Sequence, residues 1–241
     1  MRFLKLLFKR ETFVPMAAMT FASATSIALI FARVFWTGHL RYGFLAVNLF
    51  LAWLPLVFAM LACHCFRDPK KPGWRFISWS AVWLLFFPNS AYIFTDLIHL
   101  TTHYSTHLWL DFILILSCAF TGLVVGFVSL YLMQAVVVKM YGRLVSWFFV
   151  FSVTALSGFG IYLGRFLRFN SWDIIVHPND LYHGVTSWAA NSLASSTTFV
   201  FPILFATFLF IAYVLLYALT HLPQMNQLMA EPIEKQLQPS S

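Results

Sequence analysis

Six apolar runs, each about as long as a bilayer is thick, leave this chain little choice of fold. They cover approximately Phe13–Phe35, Gly43–Phe66, Phe76–Thr95, Trp109–Val138, Leu144–Leu163 and Thr197–Thr220. A helix needs about 20 apolar residues to cross the hydrocarbon core. No water reaches that core to satisfy backbone N–H and C=O groups, so only helices and closed barrels span it. The runs lack the period-two alternation of barrel strands. The expected fold is therefore all-α, a polytopic membrane bundle of six transmembrane helices. Composition agrees: 61% hydrophobic and 10% charged residues, with a mean hydropathy of +0.79, exceed what a water-soluble domain tolerates.

One membrane domain over 13–220 accounts for most of the 241 residues. A basic cytoplasmic segment, 1–12, is expected before it. A flexible cytoplasmic tail, 221–241, is expected after it, because Gln, Pro and Ser there cannot build a core. The longest loop, about 170–196, carries Trp172, Tyr182 and Trp188, which suit the headgroup region, and a short interfacial helix is expected there. The first crossing reads as an uncleaved helix. Cleavage after Ala22-Ser23-Ala24 would strand the apolar stretch Ser26–Phe35.

A net charge of +7 would point a soluble protein toward nucleic acid, but here the cations sit in short segments between apolar runs. The partner they imply is the lipid bilayer, not nucleic acid. Arg2, Lys5, Lys9, Arg10, Arg67, Lys70, Lys71, Arg75, Lys139, Arg143 and Lys235 fall on one side, and only Arg33, Arg41, Arg165 and Arg168 on the other. The positive-inside rule then places both termini in the cytoplasm, with the loops after the first, third and fifth crossings outside. The location expected is a cell membrane. Cys63, Cys65 and Cys118 lie in or beside apolar runs and read as packing residues rather than a disulfide framework.

Polar residues gather at the outer ends of the third, fourth and fifth crossings. Pro88 should kink the third and release a carbonyl near Leu84, with Asn89, Tyr92 and Thr95 close by. Either neighbouring groups re-satisfy that backbone, or the kink opens a polar pocket. Asp96, His99, His103, His107 and Asp111 follow at steps of three and four, and would share one face of an unbroken helix. Carboxylates and imidazoles at this spacing can hold a metal such as zinc, although Thr101-Thr102 and Ser105-Thr106 look like a turn. Asp111 can complement the helix dipole or complete a carboxylate pair with Asp96 that divides acid from base duty.

On the fifth crossing, Arg165 and Arg168 lie one turn apart above the small-residue stripe Gly160/Gly164, which parallels Gly122/Gly126 on the fourth. Close packing of these two helices is expected. The arginines suit ion pairs with Asp96 or Asp111, or capture of an anion such as a phosphate headgroup. Cys63-His64-Cys65 points to opposite faces of a helix and is not read as a site. No phosphate-binding glycine loop, His-Glu-x-x-His or Gly-x-Ser-x-Gly pattern occurs, so no metal or cofactor is assigned.

The segments Asn48–Pro55, Phe87-Pro88-Asn89-Ser90-Ala91-Tyr92, Thr95-Asp96-Leu97-Ile98-His99-Leu100, Asp111, Gly160–Arg165 and Arg168 with Asn170-Ser171-Trp172-Asp173 resemble a bacterial membrane family catalogued as domain of unknown function 1361. The resemblance covers about the second to sixth crossings. It implies that Asn89, Asp96, His99, Asp111, Arg165, Arg168, Asn170 and Asp173 belong to one pattern, which excludes His103 and His107. The family carries no assigned activity.

The expected function is binding of a polar or anionic envelope molecule, such as a lipid headgroup. Arg165, Arg168, Asn89, Asn170 and Asp173 are the candidate ligand-binding residues. The alternatives are an interfacial enzyme using Asp96, His99 and Asp111, a transporter using Asn48 and Asn89, and a structural or assembly protein.

Overall fold

The computed structural model describes residues 10–38, 42–100, 108–168, 176, 179–180, 183–186 and 197–237, with the backbone alone at 10–13, 99, 197–198 and 221–237. Its elements are α1 (Arg10–Thr37), α2 (Phe44–Cys65), α3 (Trp74–Phe86), α4 (Asn89–Tyr92), a 3₁₀ segment (Ile93–Leu100), α5 (Leu108–Tyr141), α6 (Arg143–Phe166) and α7 (Thr197–Leu237). Among the described residues there is no strand.

Among the described residues, six stretches are long and apolar enough to cross a membrane: Val14–Thr37, Phe44–Cys65, Trp74–Ile98, Leu108–Tyr141, Arg143–Phe166 and Phe199–Thr220. They match the six apolar runs to within a few residues. The protein is an all-α, multi-pass membrane bundle. The helix of the last crossing continues to Leu237, past the apolar run that ends at Thr220.

α5 is the centre of the bundle. Two-thirds of its most apolar window is buried, against 17% for α1 and for the last crossing. It touches α1, α2, α4, the 3₁₀ segment and α6, while α7 packs on α6. Aromatic and aliphatic side chains such as Phe21, Phe35, Phe148 and Leu204 face outward around this core, as lipid permits. Gly142, at φ 88°, is the single residue between α5 and α6, and its positive φ lets the chain reverse there.

The third crossing is broken rather than merely bent. α3 stops at Phe86 and α4 begins at Asn89, with Pro88 between. Asn89 Nδ2 donates to the Phe86 carbonyl at 3.1 Å, and Ser90 Oγ to the Phe87 carbonyl at 2.8 Å. Local side chains thus satisfy the interrupted backbone at Phe86 and Phe87. Beyond Tyr92 the chain tightens into a 3₁₀ helix.

The glycine stripe of α5 seats this break. A methyl group on Gly126 would lie 2.2 Å from Ser90 Oγ, and one on Gly122 would lie 2.8 Å from the Ser90 carbonyl oxygen. The expected packing of the fourth and fifth crossings on each other is present, but Gly122, Gly126 and Gly160 are not what makes it. α5 and α6 do touch, but Gly122 and Gly126 accommodate α4, Gly160 accommodates Pro88, and Gly158 accommodates Pro202 and Ala206 of α7. Small residues permit close backbone approach whichever partner the fold supplies.

Candidate functional site

Alternation of the crossings brings the ends of α1, the 3₁₀ segment and α6 to the same end of the bundle as the starts of α2 and α5. Among the described residues, two ion pairs form there.

The first centres on Asp96, which is 2% exposed. Its Oδ1 accepts from Arg165 Nη1 at 3.1 Å, and its Oδ2 from Asn48 Nδ2 at 3.0 Å. These contacts join the 3₁₀ segment to α6 and α2. The Arg165 side chain keeps 19% of its surface exposed while its guanidinium is tied to a buried carboxylate.

The second centres on Asp111, which is wholly buried. Arg33 Nε donates to its Oδ1 at 2.5 Å, Arg33 Nη2 to its Oδ2 at 3.2 Å, and Tyr42 OH also to Oδ2 at 3.0 Å. The Arg33 guanidinium lies over the Tyr42 ring at 5.9 Å. A bidentate guanidinium–carboxylate pair is a strong, directional form of ion pair, and the aromatic face adds to it. It ties α1 to α5 at the polar end.

The two carboxylates suggested as a pair therefore each face their own arginine. Apolar packing of Tyr42, Leu45, Leu49, Ile93, Leu114, Ile115 and Cys118 runs alongside both sites. Arg165 and Arg168 do not extend one helical face. α6 ends at Phe166, and Arg168, exposed and at φ 61°, turns the chain away. The left-handed conformation costs a non-glycine residue about 1 kcal/mol.

The Asp96–Asp111 stretch is not one α-helix either, because Ile93–Leu100 is 3₁₀, where a step of four does not return to the same face. The side chain of His99 lies outside the described residues, as do His103, His107, Asn170 and Asp173. Among the described residues, no group of three or more His, Cys, Asp or Glu is placed to hold a metal ion.

Arg33, Tyr42 and Asn48 complete the two sites. Asn48 was visible as a polar residue in the second crossing. Arg33 stood out less, because charge counting treats it as an outer-loop cation. Its position inside the first apolar run was the available signal, since an ionisable residue at membrane depth calls for a named partner. Ser26, seven residues earlier on the same face, is also buried.

A model of the family described as "Protein of unknown function (DUF1361)" matches residues 47–225. The chain belongs to this family. No curated protein and no solved structure matches it. The DUF1361 match includes Asp96, Asp111, Asn48 and Arg165, but begins after Arg33 and Tyr42. In this chain the donors on Asp111 named above therefore come from outside the segment that defines the family.

Proposed function

We propose that this protein resides in a bacterial inner membrane with both termini in the cytoplasm, and that its outward-facing Asp/His/Arg cluster binds a polar or anionic envelope molecule such as a lipid headgroup. Arg165 and Arg168 hold the anion. Asp96 positions Arg165, and Asn89, His99, Asn170 and Asp173 are the further candidate ligand-binding or acid–base groups. Asp111 acts at one remove, through its hold on α1.

The observation that supports this reading most is Arg165 itself: its guanidinium is fixed by a buried carboxylate while part of the side chain remains exposed. A preorganised guanidinium loses less freedom when it meets an oxyanion.

Binding of glycerol 3-phosphate and of phosphatidylglycerol vesicles to the purified full-length protein tests the proposal. Arg168→Gln, at an exposed position, should weaken anion binding severalfold while leaving abundance unchanged. An Arg165→Ala protein that binds and accumulates like the unmodified one would overturn the reading. Labelling of single cysteines in the loops after the third and fifth crossings, from the outside of intact cells, tests the orientation.

A further inference from the structure

The Arg33–Asp111 pair leaves one donor group unengaged. Nε and Nη2 of Arg33 bind Asp111, while Nη1 is buried with no hydrogen-bond partner among the described residues. The residue as a whole is 8% exposed. An orphaned guanidinium nitrogen at membrane depth is costly, and it selects an oxygen acceptor.

Trp36, one turn beyond Arg33 on α1, is 74% exposed, and Trp109, two residues before Asp111 on α5, is 75% exposed. Exposed tryptophans at helix ends mark the headgroup level of a bilayer. Phe35, 87% exposed, adds apolar surface at the same end of α1. Asp111 already neutralises Arg33, so the site has little net charge with which to draw a free phosphate dianion out of water. The phosphate or ester oxygens of a phospholipid reside at this depth and need no such transfer.

We propose that Arg33 Nη1, on a helix pair whose neighbouring ends carry the exposed Trp36 and Trp109, is the head of a phospholipid-binding site on the α1–α5 face, with a lipid phosphate or ester oxygen accepting from the guanidinium. The site is independent of the Arg165–Arg168 proposal, because its donor is a different arginine on a different helix.

Native mass spectrometry of the full-length protein, delipidated and then titrated with phosphatidylglycerol or with inorganic phosphate, tests it. Arg33→Lys keeps a cation for Asp111 but loses the planar fork. It should lower affinity for the tightest-bound phosphatidylglycerol by about tenfold, the scale of one hydrogen bond to a charged group. Arg33→Gln/Asp111→Asn, which buries no unpaired charge, should show the same loss and remains informative where Arg33→Lys does not fold. Undiminished lipid binding in either variant would overturn the site. Displacement of the lipid by inorganic phosphate would overturn the choice of occupant.

Discussion

Replacing Asp111 with Ala should destabilise this protein severely, and replacing its partner at the same time should restore most of the loss. Asp111 is wholly buried and accepts from Arg33 Nε, Arg33 Nη2 and Tyr42 OH. The Ala variant keeps the Arg33 cation 8% exposed and removes its counter-ion. Removing one member of a buried pair costs about 3–5 kcal/mol, so about 4 kcal/mol, or roughly a thousandfold in the folded ratio, is expected. Arg33→Leu/Asp111→Leu removes both charges and fills the space with apolar volume. Such exchanges are often neutral or stabilising by about 1–4 kcal/mol. With Arg33→Leu and Asp111→Leu as the single corners, the cycle should therefore return a coupling of about 3 kcal/mol or more. SDS-driven unfolding in mixed micelles, followed by circular dichroism, measures each corner. A coupling below about 0.5 kcal/mol, the range of independent sites, would refute the claim that this pair clamps α1 to α5.

Three smaller perturbations probe the same frame. Gly126→Ala places a methyl group 2.2 Å from Ser90 Oγ and should cost about 1–3 kcal/mol in thermal unfolding, with partial rescue by Ser90→Gly. Asn48→Ala removes the 3.0 Å donor to Asp96 and should cost about 1.5–3 kcal/mol in the same assay, with Arg165 still paired. Tyr42→Phe removes only the 3.0 Å hydrogen bond on Asp111, so its loss in SDS unfolding should stay below that of Asp111→Ala.

The architecture was legible because lipid imposes a length rule and a backbone rule at once. Phe44–Cys65 and Arg143–Phe166 end within three residues of the apolar runs that announced them. Pro88 announced the break in the third crossing for the same physical reason, a missing donor. Its repair was harder to foresee, since Asn89 and Ser90 folding back on Phe86 and Phe87 depends on where the helix restarts. Helical spacing misled only in part at Ile93–Leu100, because this segment is 3₁₀, where a step of three keeps a common face but a step of four does not. It misled again at Arg168, where the chain leaves the helix with φ 61°. Asp96 and Arg165 could be matched from their positions at the same end of the bundle. The Arg33–Asp111 match joins residues 78 apart on helices that nothing in the local pattern pairs.

The two ion pairs differ in a way that bears on what each does. Around Asp111 the cation and anion are both sealed in, with side-chain exposures of 9% and 0%, and the geometry is bidentate. Around Asp96 the carboxylate is sealed but the cation is not, with exposures of 3% and 19%, and the arginine contact runs through Nη1. A fully enclosed pair resists exchange with solvent, and its removal is felt as instability. A pair with one exposed member costs less desolvation and leaves surface on which a second oxyanion can settle. The same guanidinium–carboxylate chemistry thus serves in the first place to hold a peripheral helix against the core. In the second it ties a partly exposed cation to the 3₁₀ segment. Removing Arg165 would still strand the buried Asp96 carboxylate, so the exposed Arg168 is the residue whose substitution should separate loss of binding from loss of fold.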